Sequence, residues 1–354
     1  MINKKKVTVA MSGGIDSAVA ALLIQNAGYD VTGATMLLCK KILSDGTDAT
    51  ESDINDARSI CDKLGIEHKV YDLSEKFKDT VIKDFIDTYM MGATPNPCIV
   101  CNKLLKFGKL LDIALESGSD MIATGHYARI ERSDDGRYLL KKAADTRKDQ
   151  TYMLWSLTQH QLAHTIFPLG DLKKSEIREI GAQNGFVNAH KSDSQDICFI
   201  PDGDYASFIE KHLGIKYPQG NYIDEDGTVL GKHKGMIHYT IGQRKGLGIS
   251  MNKHIFVIKK DAETNTVTLA DEDKLFTDRV IIKNINLIPF DTFSDKLEVE
   301  AKIRYSQSQS PALAEITGED EITLTFSTPQ RAPARGQSAV MYVGDTVIGG
   351  GIIQ

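Results

Sequence analysis

The sequence predicts an α/β protein: a first half built on a parallel sheet, followed by a region of short strands. Three observations carry this. Strand-length apolar runs alternate with helix-period segments through roughly the first 200 residues. Short stretches of strand formers divided by glycines then take over. Between the first strand and the first helix stands Ser12-Gly13-Gly14, a break that lets backbone turn tightly against an anion.

Lys6 to Met11 reads as a buried strand, and Ser17 to Ala27 as a helix closed near Gly28. Asp30 to Leu38 is the second strand. Ser44 to Asp53 is polar, acidic and glycine-containing, and is expected to be a mobile loop. Ile54, Ala57, Ile60, Cys61 and Leu64 then recur at helical spacing. Glu67 to Leu73 is a strand and Ser74 to Met91 a long helix. A loop with Pro95 and Pro97 leads to a helix from Asn102 to Ser117 and a short strand from Asp120 to Thr124. This alternation places helices on both faces of a parallel sheet. Beyond a helix at Tyr205 to Leu213, the runs His254 to Lys259, Thr266 to Ala270, Glu298 to Arg304 and Glu321 to Phe326 read as antiparallel strands. The change of character puts one domain boundary near residue 203 and a weaker one near Phe276. The expected units are 1–203, 204–275 and 276–354.

No apolar run nears the roughly 20 residues of a membrane helix. The apolar stretch Val7 to Met11, five residues long, is too short for a signal peptide, so a cytoplasmic location is expected. The net charge of -6 argues against a nucleic-acid partner for the chain as a whole. Gly231 to Lys260 departs from that balance. It holds Lys232, Lys234, Arg244, Lys245, Lys253, Lys259 and Lys260 and no carboxylate, a stripe that suits phosphates or is simply a solvated basic face.

In Val7-Thr-Val-Ala-Met11, then Ser12-Gly13-Gly14-Ile15-Asp16-Ser17, the helix start offers free N–H groups, and Ser12 and Ser17 add hydroxyl donors for phosphate oxygens. Asp16 would repel phosphate unless a metal lies between them, which points to Mg²⁺. The plainer reading is a tight turn with a Ser or Asp helix cap. The whole string resembles the pyrophosphate loop (PP-loop) of ATP pyrophosphatases, which adenylate a carbonyl oxygen and release pyrophosphate.

Five cysteines, an odd number, do not suggest a disulfide framework. Cys39 and Cys61 read as packed side chains. Pro95-Asn-Pro-Cys98-Ile-Val-Cys101-Asn102 precedes the expected helix. A helix start lowers a thiol pKa, and Lys103 and Lys106 would lower it further. Half of a zinc site is the competing reading, but no second CxxC or HxxxH completes it. Cys198, in Ser194-Gln-Asp-Ile-Cys-Phe199, can reach the pair only through the fold.

These strings, with Ala123-Thr-Gly-His-Tyr-Ala128, Lys148-Asp-Gln-Thr-Tyr152, His238-Tyr-Thr-Ile-Gly-Gln-Arg-Lys-Gly246, Ile303-Arg-Tyr305 and Ala334-Arg-Gly-Gln-Ser338, resemble the bacterial tRNA-specific 2-thiouridylase (MnmA) family over essentially the full length. The resemblance implies an N-terminal PP-loop domain of the adenine nucleotide hydrolase type, a small central domain that binds tRNA, and a C-terminal β-barrel-like domain. It implies ATP- and Mg²⁺-dependent 2-thiolation of the wobble uridine in tRNAs for Lys, Glu and Gln, with a sulfur-relay protein or cysteine desulfurase as donor.

Carried over by position, Ala10, Met11, Ser12, Gly13, Gly14, Ile15, Asp16, Ser17, Met36 and Gly125 hold ATP. Asn96, Pro97 and Cys98 approach the target base. Cys198 carries the persulfide, and Cys101 frees the sulfur by closing a transient disulfide with it. His126, Lys148, Asp149, Gln150, Arg304, Tyr305 and Gln337 contact tRNA. Cys98 stands where many family members have Asp, a carboxylate proposed to help proton transfer. It also completes a three-thiol set of the kind that related thiolases use to hold a [4Fe–4S] cluster. Persulfide exchange is the preferred route, with Cys98, Cys101 and Cys198 as cluster ligands the other. The rival readings are a PP-loop amide ligase, which needs no cysteine set, and a non-catalytic tRNA-binding module.

Overall fold

The computed structural model describes residues 4–40, 48, 50–186, 197–249 and 253–354. The first part of the chain lays down β1 (Lys6–Ala10), β2 (Asp30–Leu37), β3 (Glu67–Asp72), β4 (Met121–Ala123), the hairpin β5 (Arg129–Arg132) and β6 (Tyr138–Lys141), and β7 (Thr165–Ile166). Five of these form a wholly parallel sheet in the order β3-β2-β1-β4-β7. Val7, Thr8 and Val9 are buried on both faces of β1, as apolar and β-branched residues in a central strand should be. The order reverses beside β1, so a crevice opens at the carboxyl ends of β1 and β4, where such sheets hold ligands. Both expected nucleotide segments, 10–17 and 125, leave the sheet there.

The helix Ile15–Asn26 packs against the helix Lys174–Gln183, and Gly181 makes the contact possible. A Cβ on Gly181 would lie 2.2 Å from Ile15 Cδ1. Thr50–Leu64 is helical, so residues 50–53 of the expected mobile loop belong to a helix, and residues 44–47 and 49 fall outside the described set. The loop reading failed because Thr50, Glu51 and Asp53 make a polar, acidic first helical turn. The helix expected from Asn102 begins at Pro97. Proline at the first position has its φ preset and sacrifices no intrahelical donor. The whole of 97–116 is helical, with a π-helical stretch at Asn102–Lys109.

The middle of the chain forms β8 (Gly220–Ile223), β9 (Val229–His233), β10 (Phe256–Asp261) and β11 (Thr266–Ala270), in the order β10-β11-β8-β9. The β8–β11 pair is parallel, against the all-antiparallel expectation. The intervening residues 224–265 supply the crossover length that a parallel pair requires. The preceding helix Tyr205–Leu213 is capped by Asp204, which accepts from Ser207 N–H at 3.1 Å, and ends at Gly214 with φ +68°.

The last part forms β12 (Phe276–Leu287), β13 (Lys296–Lys302), β14 (Ser310–Gly318), β15 (Glu321–Arg331), β16 (Ser338–Val343) and β17 (Thr346–Ile353). These run in the order β12-β15-β14-β13-β16-β17 and close into an antiparallel barrel through β12–β17. At its other end β17 pairs with β6, Thr346 opposite Lys141, so the β5–β6 hairpin extends the barrel's sheet. The strand read at Glu298 to Arg304 stops at Lys302, which leaves Arg304 and Tyr305 in the turn beyond it.

Gly181→Ala should lower the unfolding free energy in urea by about 1–3 kcal/mol, the cost of overpacking a tight contact. It should also weaken ATP binding, because Ile15 opens the phosphate-loop helix.

Candidate active site

The loop after β1 is held by its own hydroxyls. Ser12 N–H donates to Ser17 Oγ at 3.2 Å, Ser17 Oγ–H donates to the Gly14 carbonyl at 2.9 Å, and the two serine hydroxyls lie 3.3 Å apart. Gly13 has φ +74°, and a Cβ there would sit 2.6 Å from the Asp53 carbonyl oxygen. The N-cap of the helix is Gly14, which has no side chain to satisfy the first N–H groups. A Ser or Asp cap is therefore not the reason for the string, and the helix start keeps its capacity for an anion. On the far wall, a Cβ on Gly125 would come within 2.8 Å of the Asp16 carbonyl carbon and 2.9 Å of Ser17 N. Only a glycine brings the end of β4 this close to the helix. Met36 lies on β2, half-buried beside the loop's anchor, where Thr35 Oγ1 donates to the Met11 carbonyl at 2.9 Å.

Asp16 does not present a free carboxylate. Lys174 Nζ donates to both of its oxygens at 2.8 Å, and Tyr127 OH donates to Oδ1 at 2.7 Å. The expectation that Asp16 itself ligates Mg²⁺ is at odds with this, because its lone pairs serve a buried ammonium; Lys174 is 7% exposed. Sequence reasoning missed Lys174. A signal was present: a lysine at a helix start opposes the dipole, which asks for a local reason. Tyr127 lies in the Ala123–Ala128 segment, and its part in holding Asp16 is visible only in the fold.

Cys98 and Cys101 lie in the first turn of the helix that begins at Pro97. The expected lowering of their thiol pKa values is reversed. Burial pushes Cys101 up to about 11, Lys106 opposes this, and Cys198 and Cys98 add to it. Cys98 is exposed, yet desolvation raises its thiol too, again against Lys106 and with Cys198. A helix start and two lysines do not offset the loss of water around the sulfurs. The same effects reveal the arrangement: Cys198, 97 positions beyond Cys101 (198 − 101), lies within electrostatic reach of both thiols. It is exposed and follows Ile197 in a turn anchored by Phe199, whose ring meets Phe77 at 5.5 Å and Phe85 at 5.3 Å. Ser194, Gln195 and Asp196 of its motif lie outside the described residues. Cys61 is fully buried, as expected of a packed side chain. Among the described residues no three His, Cys, Asp or Glu side chains are grouped to hold a metal ion, so the three thiols as placed do not form a cluster site.

The proline loop that carries Asn96 and Pro97 is gripped from two sides. Thr94 N–H donates to the Arg335 carbonyl at 2.7 Å, and Gln337 Nε2 donates to the carbonyls of Thr94 and Pro95 at 3.1 and 2.9 Å. Gln337, expected at the tRNA, thus fastens the loop to the barrel. From the central sheet, Lys260 reaches under the loop, with Nζ 3.5 Å from the Ala93 carbonyl and 5.6 Å from the centre of the Tyr89 ring. Lys232, Lys234, Arg244, Lys245, Lys253 and Lys259 of the basic stripe are exposed, but Lys260 is buried. Burial lowers its pKa to about 8.

Several expected tRNA contacts have structural duties. Asp149 accepts from Ala143 N–H at 2.9 Å and from Thr151 Oγ1–H at 2.6 Å. Gln150 accepts from Tyr127 N–H at 2.9 Å. His126 sits against Phe107 and Phe167, hydrogen-bonded to Thr124 Oγ1 at 2.7 Å, and burial holds its pKa well below the usual value, so it is neutral. Arg304 bonds the Ala332 carbonyl, while its buried Nε has no partner among the described residues. Lys148 is half-buried at the edge of a surface hollow, and Tyr305 is 41% exposed; burial raises the Tyr305 pKa, with the charges of Asp149, Lys148 and Cys98 also acting on it. Lys302, which sequence reasoning missed, lies 5.2 Å over that ring and 5.7 Å over Tyr152.

Family models match in three consecutive stretches: a tRNA methyl transferase HUP domain over residues 5–202, a tRNA methyl transferase PRC-barrel domain over 206–271, and an aminomethyltransferase beta-barrel domain over 277–353. The chain is 48% identical to tRNA-specific 2-thiouridylase MnmA of Clostridioides difficile, covering 100% of this chain and 99% of that one. It is 47% identical to the protein of the same name from Treponema denticola, covering 99% and 98%. Among solved structures, U34-tRNA thiolase NcsA from Methanococcus maripaludis with its [4Fe-4S] cluster aligns at a TM-score of 0.36 and 21% identity, over 59% of this chain and 68% of that one.

Two measurements test this geometry. Iodoacetamide alkylation of Cys101, read by mass spectrometry, should still be accelerating at pH 9.5, because a thiol at about 11 is only partly ionised there. For Lys260, the folded pKa of about 8 lies below the ordinary 10.5. The unfolded chain therefore binds the extra proton between these values, and this residue's contribution makes stability rise with pH across that window. Lys260→Met should be more stable than the parent chain near pH 7, by on the order of 3 kcal/mol at most, and this advantage should shrink towards pH 10.5. An advantage that stays constant with pH would refute the buried-ammonium reading.

Proposed function

The chain belongs to the tRNA-specific 2-thiouridylase (MnmA) family, and on that footing we propose that it replaces the C2 oxygen of the wobble uridine with sulfur in tRNAs for Lys, Glu and Gln. The observation that carries the reading is that Cys198 lies within electrostatic reach of Cys98 and Cys101 at the helix start, across 97 positions of sequence (198 − 101). The units 1–203, 204–275 and 276–354 act as the ATP-binding catalytic, central tRNA-binding and barrel domains of a cytoplasmic enzyme. No helix among the described residues is long and apolar enough to cross a membrane.

ATP is the activating substrate, held by Ala10 to Ser17 with Met36 and Gly125. Mg²⁺, when bound, would neutralise phosphate charge at the Ser12 to Ser17 loop, where Asp16 is engaged by Lys174. The flipped uridine approaches Asn96, Pro97 and Cys98, and leaving its stack costs on the order of a few kcal/mol. Its O2 attacks the α-phosphorus and pyrophosphate departs. The terminal sulfur of a Cys198 persulfide attacks C2, and the C2–O bond to AMP breaks. Cys101 thiolate then attacks Cys198 Sγ, the S–S bond breaks, sulfur stays on C2, and a Cys101–Cys198 disulfide remains for a cellular thiol to reduce. Lys106 supplies the charge that favours the Cys101 thiolate. A sulfur-relay protein or cysteine desulfurase loads Cys198. Lys148, Tyr305 and the exposed basic stripe meet the tRNA, an attraction that weakens steeply with salt. No step runs through a [4Fe–4S] cluster, since the thiols as placed do not form its site. A methyl transferase would need neither an adenylating loop nor paired thiols.

Cys198→Ser should abolish thiolation of unmodified glutamate tRNA by iron-free protein with ATP and a persulfide donor, read as lost retardation on a mercury-containing gel. Its tRNA affinity should stay within about threefold, a shift of under 1 kcal/mol. Full thiolation by Cys198→Ser would exclude the persulfide route, and no thiolation by the parent chain, even after anaerobic iron loading, would exclude the function.

A further inference from the structure

We infer that Lys260 is a positioning residue for sulfur transfer: from the central sheet, its ammonium holds the backbone of the loop that presents Asn96, Pro97 and Cys98 to the uridine. This rests on the base-approach reading above. Lys260 stands on β10, beyond a β-bulge between Val257 and Lys259, a feature that re-aims side chains. Lys259 is exposed while Lys260 is 9% exposed, since neighbours on a strand point to opposite faces. Lys260 Nζ lies 3.5 Å from the Ala93 carbonyl oxygen, and the Tyr89 ring lies beneath the same ammonium.

Stability does not account for a lysine at this place. A methionine would fill similar space with no ammonium to desolvate. What the ammonium adds is a directed bond to one point of the loop, and at that point three parts of the chain meet. A Cβ on Gly92, φ +76°, would lie 3.3 Å from Met236 Sδ and 3.4 Å from the Lys260 carbonyl oxygen, so the central unit presses on the loop from one side. A Cβ on Gly336 would lie 3.0 Å from Ala93 Cβ, so the barrel presses from the other. Pro95 and Pro97 stiffen the backbone between Ala93 and Cys98. A shift at Ala93 is therefore passed on to the residues that meet the base. Lys259 belongs to the exposed basic stripe, so a single strand joins docked RNA to the loop.

The test compares the parent chain with Lys260→Met, whose side chain suits the buried position, and with Lys260→Arg, which keeps the cation. Circular dichroism and the thermal midpoint establish that each is folded. Iodoacetamide alkylation without substrates, read by mass spectrometry, should be faster at Cys98 in Lys260→Met by roughly threefold or more, because the loop opens locally. Fully buried Cys61 should stay unreactive in all three chains. In thiolation of unmodified glutamate tRNA, Lys260→Met should lose about tenfold or more in kcat while its KM for tRNA stays within about threefold. Lys260→Arg should recover most of that kcat. Unchanged alkylation of Cys98, a rise shared by Cys61, or a defect confined to KM would overturn the assignment, the last making Lys260 a tRNA contact. Equal losses of kcat in two folded variants would overturn it too, by placing the effect on packing instead of charge. Faster alkylation of Cys98 together with a parent chain that thiolates no tRNA would uphold the hold on the loop and count against the thiolase reading alone.

Discussion

The hydrogen bond from Thr94 N–H to the Arg335 carbonyl, 2.7 Å long, ties the proline loop of the first domain to the barrel at the other end of the chain. The rest of the site is arranged around that tether. Gly336, φ +88°, allows the approach, since a Cβ there would lie 2.9 Å from the Thr94 carbonyl oxygen. Gln337 adds two more bonds to the same loop. The loop then enters the helix at Pro97, so the placement of both thiols is inherited from the barrel contact.

A second tether operates on the nucleotide side. Lys174 and Tyr127 converge on Asp16 from elements that follow β7 and β4, and Gly125 brings β4 against the same helical turn. The two tethers share the segment 124–152: Tyr127 reaches Asp16, Gln150 holds Tyr127, and Tyr152 OH donates to the Ser338 carbonyl in the barrel at 2.8 Å. ATP chemistry and base positioning are thus mechanically joined through a few buried polar bonds, each of which is costly to leave unmade.

Burial sets the chemistry of the thiols. Helix start and nearby lysines argued for reactive thiolates, but desolvation outweighs them at Cys98 and Cys101. Lys106 opposes that rise at both thiols.

The sequence by itself determined the parallel sheet, the phosphate loop and the thiol candidates, because each is written in local terms: apolar period, glycine spacing, proline and cysteine positions. It also carried the family, through strings spread over the whole chain. The tertiary structure alone decided which of those residues act on each other. Lys174 with Asp16, Gln337 with the proline loop, Lys260 beneath Ala93, and Cys198 within electrostatic reach of Cys101 join positions about 100 to 240 apart, and no local periodicity encodes such pairs. The fold also reversed the thiol pKa values and separated Lys260 from its basic stripe, since burial depends on what the rest of the chain lays over a residue.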